Sequence, residues 1–150
     1  DKAPGQKECD EAIDTINGVI KELDEASLAA INQNLVTKQE SNLQGFQEQM
    51  ANCTGEINEG IDRVVQAAKA HPEQLGHQVS SMANYFIPLA SGAIGAASKT
   101  VNSQRQAALL ELPKTVAESA LQLMYAAKEG GGNPKVRAIY SHMYMSCDPH

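Results

Sequence analysis

Small or apolar residues recur along this chain at alternating steps of four and three, and no other feature constrains the fold as strongly. Cys9, Ile13, Ile16, Ile20, Leu23, Ser27, Ala30 and Asn34 fall on one face of a helix with 3.6 residues per turn. They predict a first helix from roughly Gln6 to Leu35. Polar Thr37 to Ser41 interrupts the pattern, and Leu43, Phe46, Met50, Cys53, Ile57, Ile61, Val64 and Ala68 resume it. This second helix is expected to stop at His71, because Pro72 disfavours helical geometry in the residue before it and suits the start of the next helix. A third stripe runs through Leu75, Val79, Met82, Phe86, Leu89 or Ala90, Ala93 and Ala97. Pro88 lies inside it, so a kink or a break into two helices is predicted there. Ser91 to Ser98 is almost entirely Ser, Gly, Ala and Ile, small enough for a neighbouring helix to approach closely.

The fourth stripe is Leu109, Leu112, Val116, Ala120, Leu123 and Ala127, with Asn102 or Ser103 as N-cap and Pro113 predicting a bend. Gly130-Gly131-Gly132 ends it, and Asn133-Pro134 opens a fifth, short helix with Val136, Ile139, Tyr140 and Met143 on its apolar side. With 150 residues, one core and one domain are expected. Aromatic residues make up 4% of the chain and tryptophan is absent, which favours helices over pleated surfaces. Short connections let each helix fold back on its neighbour. The expected architecture is all-α: an antiparallel up-and-down bundle of four long helices plus a truncated fifth.

Charge narrows the partners. A net charge of -6 and a pI near 5.1 argue against nucleic acid, which requires a basic face, and favour a basic protein surface. Cys9, Cys53 and Cys147 are odd in number and widely spaced, so a reducing compartment fits and no disulfide framework is implied. No leader sequence or membrane-length apolar run is seen, and the expectation is a soluble segment from within a longer protein, with no direct membrane insertion. Asn52-Cys53-Thr54 satisfies the glycosylation pattern but reads as ordinary helix.

Catalytic and metal signatures are weak. A di-metal bundle needs inward Glu residues and Glu-x-x-His pairs, and none occurs. Glu73 and His77, four apart, read as a surface contact; His142, Cys147 and His150 lack a second ligand cluster. The glycine triplet lacks the Lys-Ser/Thr ending of a phosphate loop, and no serine sits in a nucleophile elbow. Met50, Met82 and Met124 fall on core stripes. The expectation is a non-enzymatic module with no cofactor and no metal. Its most distinctive surface is the first helix, where Asp10, Glu11, Asp14, Glu22, Asp24 and Glu25 crowd the faces opposite the stripe.

Longer strings carry more information than periodicity. Asp1-Lys-Ala-Pro-Gly-Gln, Ala26-Ser-Leu-Ala-Ala, Gln74-Leu-Gly-His, Tyr85-Phe-Ile-Pro-Leu, Gly95-Ala-Ala-Ser-Lys-Thr, Ala117-Glu-Ser-Ala-Leu-Gln-Leu and Tyr125-Ala-Ala-Lys-Glu-Gly-Gly-Gly-Asn-Pro-Lys occur in an order and spacing that resemble talin. The resemblance covers residues 1–135; residues 136–150 form a divergent short segment unlike the family's long fifth helix. It implies a bundle of the talin rod, the subdomain that docks on the phosphotyrosine-binding-like lobe of the head in autoinhibition, within a protein linking integrin tails to actin. That subdomain is not usually counted among the vinculin-binding bundles. By the same resemblance Glu118 matches the acidic residue that meets a lysine of the head lobe, and Asp24 an accompanying acidic position. The resemblance further implies a cytoplasmic location at the cytoskeleton and cell-adhesion sites.

A truncated fifth helix would leave apolar stripes open, each unburied large side chain forfeiting about 1.5–3 kcal/mol. The expectation is therefore either a marginal four-helix bundle patched by the short terminal stub, or self-association through the groove so left. The alternative functions are a force-bearing spacer without a specific partner, and a small metal- or ligand-binding helical protein.

Overall fold

The structure is a computed structural model that describes residues 5–128. Helix α1 spans Gln6–Ile31, α2 Leu43–Ala70, α3 Leu75–Asn84, α4 Phe86–Ser98 and α5 Ser103–Lys128, with a 3₁₀ turn Pro72–Gln74 leading into α3. No strand occurs among the described residues. The fifth helix expected around residues 136–143, and the boundary at Lys135, lie outside them.

The helices alternate in direction. Gly5 at the start of α1 meets Leu75 and Gly76 at the start of α3, so α1 runs parallel to the α3–α4 rod. Phe46, early in α2, lies against Gly92 and Gly95 late in α4, while Gly60 meets Met82; α2 therefore runs antiparallel to the rod. The Gln106 side-chain amide, in the first turn of α5, donates to the Ala97 carbonyl at 3.0 Å, and α5 returns alongside α4. The all-α, up-and-down bundle expected from the stripes is thus present. Its third rod is α3 and α4 end to end.

Pro88 explains that division. Its ring clashes with the carbonyl four residues earlier, that of Asn84, and it has no N–H to donate there. Helix α3 ends at Asn84. The Tyr85 N–H turns back to the Met82 carbonyl at 3.1 Å, and α4 restarts at Phe86, which places Pro88 in a first turn where its missing donor costs nothing. Gln49 of α2 then donates to the Pro88 carbonyl at 2.7 Å, tying the break to the neighbouring rod. Pro113 acts differently: α5 runs through it without interruption, and its side chain is buried.

One helix end differs from expectation. Helix α1 stops at Ile31 instead of Leu35 because Gln33 adopts a left-handed conformation, φ 59°. The Gln33 N–H donates to the Ala30 carbonyl at 3.1 Å and the Asn34 N–H to that of Ala29 at 2.7 Å, the paired bonds of a Schellman ending. Glycine usually marks that position, so the sequence carries no flag for it. Asn34, read as the last member of the stripe, is exposed beyond the helix. Gln33→Gly is expected to raise stability by about 1 kcal/mol, since an L residue pays roughly that for the left-handed region; thermal melting that shows no increase would contradict this reading.

The loop from Asn32 to Asn42 crosses the end of α4. There the Lys38 N–H donates to the Ser98 hydroxyl at 3.0 Å, and the Thr37 hydroxyl to the Ser98 carbonyl at 3.3 Å. Asn42 and Asn102 cap α2 and α5, their side-chain carbonyls accepting from Gly45 N–H at 2.7 Å and Arg105 N–H at 3.0 Å. The core behind these ends is apolar, and no polar or charged side chain is buried among the described residues. Met50, Met82 and Met124 are inside it.

Candidate functional site

Helices α1 and α5 pack against each other, and their buried residues set which side chains reach water. Leu23 and Ala26 on α1, and Ala117 and Ala120 on α5, are in the core. A residue next in sequence is rotated about 100° around the helix, so Asp24 and Glu118 emerge beside the packed faces. Both are exposed.

What joins them is Lys114. Its ammonium lies 2.8 Å from Asp24 Oδ1, bridging α5 to α1, with the lysine side chain 30% exposed and the aspartate 52%. Glu118 follows Lys114 by four residues and Glu111 precedes it by three, positions that share one side of a helix. The hydrogen bond to Asp24, and then its charge, hold the Lys114 ammonium above the usual lysine value despite the opposing effect of burial, with Glu111 and Glu118 adding to the rise. Lys114 thus pairs with Asp24 across the two helices and stands four residues from Glu118 along α5. Sequence reading missed Lys114, although its four-residue spacing to Glu118 was a visible signal for a salt-bridged surface.

Two grooves flank the bundle end at which α4 gives way to α5. One, of about 380 Å³, is lined by Glu22, Glu25, Ala26, Leu35, Val36 and Ile94 among others. The second, of about 660 Å³, lies between the starts of α2 and α5, lined by Leu43, Val101, Leu109 and Leu112 with Lys99 and Arg105 at its edge. Leu112 is 57% exposed and Val101 fully so.

Other sequence candidates fall as follows. The His71 ring nitrogen Nδ1 lies 3.7 Å from a Glu73 carboxylate oxygen at the α2–α3 junction, and His77 is exposed. Among the described residues no group of three or more His, Cys, Asp or Glu side chains is placed to hold a metal ion. His142, Cys147, His150 and the glycine triplet lie outside those residues. Cys9 and Cys53 are buried in the core and neither is in a disulfide, and burial, helped by the Glu56 charge, pushes the Cys53 thiol up. Asn52-Cys53-Thr54 sits within α2, where the Thr54 hydroxyl donates to the Met50 carbonyl at 2.8 Å. Among the described residues no helix is long and apolar enough to cross a membrane.

An antiparallel bundle with an apolar core and a charged seam between two helices defines a helical-bundle module. Comparison with known proteins places it more closely. A family model described as "Talin 1-like, rod segment domain" matches residues 5–148, continuing past Lys135. Talin of Oscarella pearsei is 54% identical over 142 residues, 95% of this chain and 6% of that protein. Talin-1 of Gallus gallus is 56% identical over 138 residues, covering 92% of this chain and 5% of that protein. Talin-2 of Homo sapiens is 50% identical over 137 residues, 91% of this chain and 5% of that protein. The chain belongs to the talin family, as a helical domain of its rod, and spans about one-twentieth of the length of these relatives.

Proposed function

We propose that this segment serves a talin-like protein as a non-enzymatic adaptor module, in the cytoplasm at sites where integrin adhesions connect to actin. Within it, the α1–α5 face carrying Asp24 and Glu118 docks on the phosphotyrosine-binding-like lobe of the talin head and contributes to autoinhibition. The observation that carries this reading is the arrangement of the two carboxylates: both are exposed on packed helices, Asp24 paired with Lys114 and Glu118 four residues beyond that lysine on α5. Exposed carboxylates on a chain of net charge -6 complement a basic partner, accelerating encounter and penalising acidic competitors.

Titration of the 150-residue chain with a talin head lobe, followed by NMR, tests the reading. Glu118→Ala is expected to weaken binding about ten-fold and leave the melting temperature unchanged, because an exposed charge contributes more to a partner than to its own fold. Binding that is insensitive to this substitution removes the site assignment. Affinity is also expected to fall as salt rises, since exposed charges are screened beyond about 8–10 Å at physiological ionic strength.

A second contact is supported by a separate observation, the apolar groove with exposed Leu112 and Val101. A second copy of the chain seated there would bury those side chains. Light scattering that finds only monomer at high concentration would dispose of it.

A further inference from the structure

We propose that Lys114 is an internal counter-ion that gates the acidic face: in the undocked bundle its ammonium occupies Asp24, and a cationic partner has to displace it to engage that carboxylate. The proposal rests on reading the α1–α5 face as the docking surface and adds the residue that regulates it. Its basis is geometric. The Lys114 ammonium is 2.8 Å from Asp24 Oδ1, and the lysine side chain is markedly less exposed than the aspartate it meets, 30% against 52%. The aliphatic stem therefore runs along the seam between α5 and α1 while the charged head emerges at the surface. A stem restrained in this way has less rotamer freedom left to lose on forming the bridge than two free side chains would.

Asp24 holds that ammonium, and Glu111 and Glu118 lie three and four residues from Lys114 on α5, positions that share its side of the helix. A cation arriving from a partner meets repulsion from Lys114 and an Asp24 oxygen already engaged. Displacing the ammonium turns it toward Glu111, its neighbour on α5 three residues earlier. The fold thus provides an alternative resting place for the released lysine. Docking exchanges one ion pair for another and leaves no charge stranded.

The test measures affinity of the 150-residue chain for a talin head lobe at two salt concentrations. Lys114→Met keeps the stem and removes the charge; it is expected to tighten binding about three-fold and to steepen the salt dependence, since one repelling cation is lost. Lys114→Gln provides a second charge-removing variant if methionine disturbs the seam. Lys114→Arg, which retains a cation, is expected to give no tightening. In an Asp24→Asn background the gain from Lys114→Met should vanish, which separates a gate at Asp24 from a general change in charge. If the gain persists in that background, or if removing the charge leaves binding unchanged or weaker while Glu118→Ala still weakens it, the gate is overturned and the docking reading stands. If the wild-type chain does not bind the lobe, both fall.

Discussion

Phe86→Ala is expected to lower the unfolding free energy by about 3–5 kcal/mol, a large part of the roughly 5–15 kcal/mol that holds a domain of this size together. Phe86 is fully buried, the bulkiest of the fully buried side chains among the described residues, and opens α4 where the third rod is divided. Truncation there removes apolar area and leaves a cavity beside a backbone that already lacks a continuous ladder of hydrogen bonds, because Pro88 has none to give. The neighbours that would have to collapse into the void, including Leu89 and Met82, are themselves closely packed in the core. A fall of about 10–15 °C in Tm is the expected readout. A change of only a few degrees would mean that the junction repacks freely, contrary to the account of α3 and α4 as a single rod.

The second large effect concerns close approach. A Cβ placed on Gly95 would run into the ring of Phe46, a residue 3% exposed on α2, and one on Gly92 would press on the Phe46 carbonyl at 3.2 Å. Replacing a helical glycine normally helps, by up to about 1 kcal/mol for alanine. Here the opposing term wins: the ring has no open space to enter, and overpacking a core costs about 1–3 kcal/mol. Gly95→Val, branched at Cβ, is therefore expected to destabilise by about 2–3 kcal/mol. Phe46→Leu in the same chain should recover part of the loss, giving a favourable coupling in a double-mutant cycle. Strict additivity of the two substitutions would show that the glycine is not there to admit the ring.

Comparing these elements with the residues that encode them shows where sequence reading works. The stripes predicted the buried faces of α1 to α4 and of the end of α5, because each depends only on a phase of 3.6 residues carried by the segment itself. At the start of α5 the buried residues are Leu110, Pro113 and Ala117, while Leu109 and Val116 of the expected stripe are half-buried and Leu112 is 57% exposed. The caps at Asn42 and Asn102 act within three residues of their targets, and Asn102 was legible for that reason. The break near Pro88 was legible as well, since the clash of a proline with the carbonyl four residues back is local. Its placement at Tyr85 follows from the same geometry. The end of α1 was not legible: Gln33 has no intrinsic preference for the left-handed region, and the loop beyond it is held by Ser98, far along the chain.

The candidate face divides in the same way. Asp24 and Glu118 were proposed from a likeness of words in the sequence, and their exposure follows from standing next to Leu23 and Ala117 on regular helices. By itself the sequence determined the helices, most of their apolar faces, the acidic character of the chain and its family. Only the tertiary structure decided that the ammonium of Lys114 meets Asp24. That meeting depends on how far α5 slides along α1 and how each is rotated, which the interlocking of many buried side chains settles together and no short stretch of residues specifies.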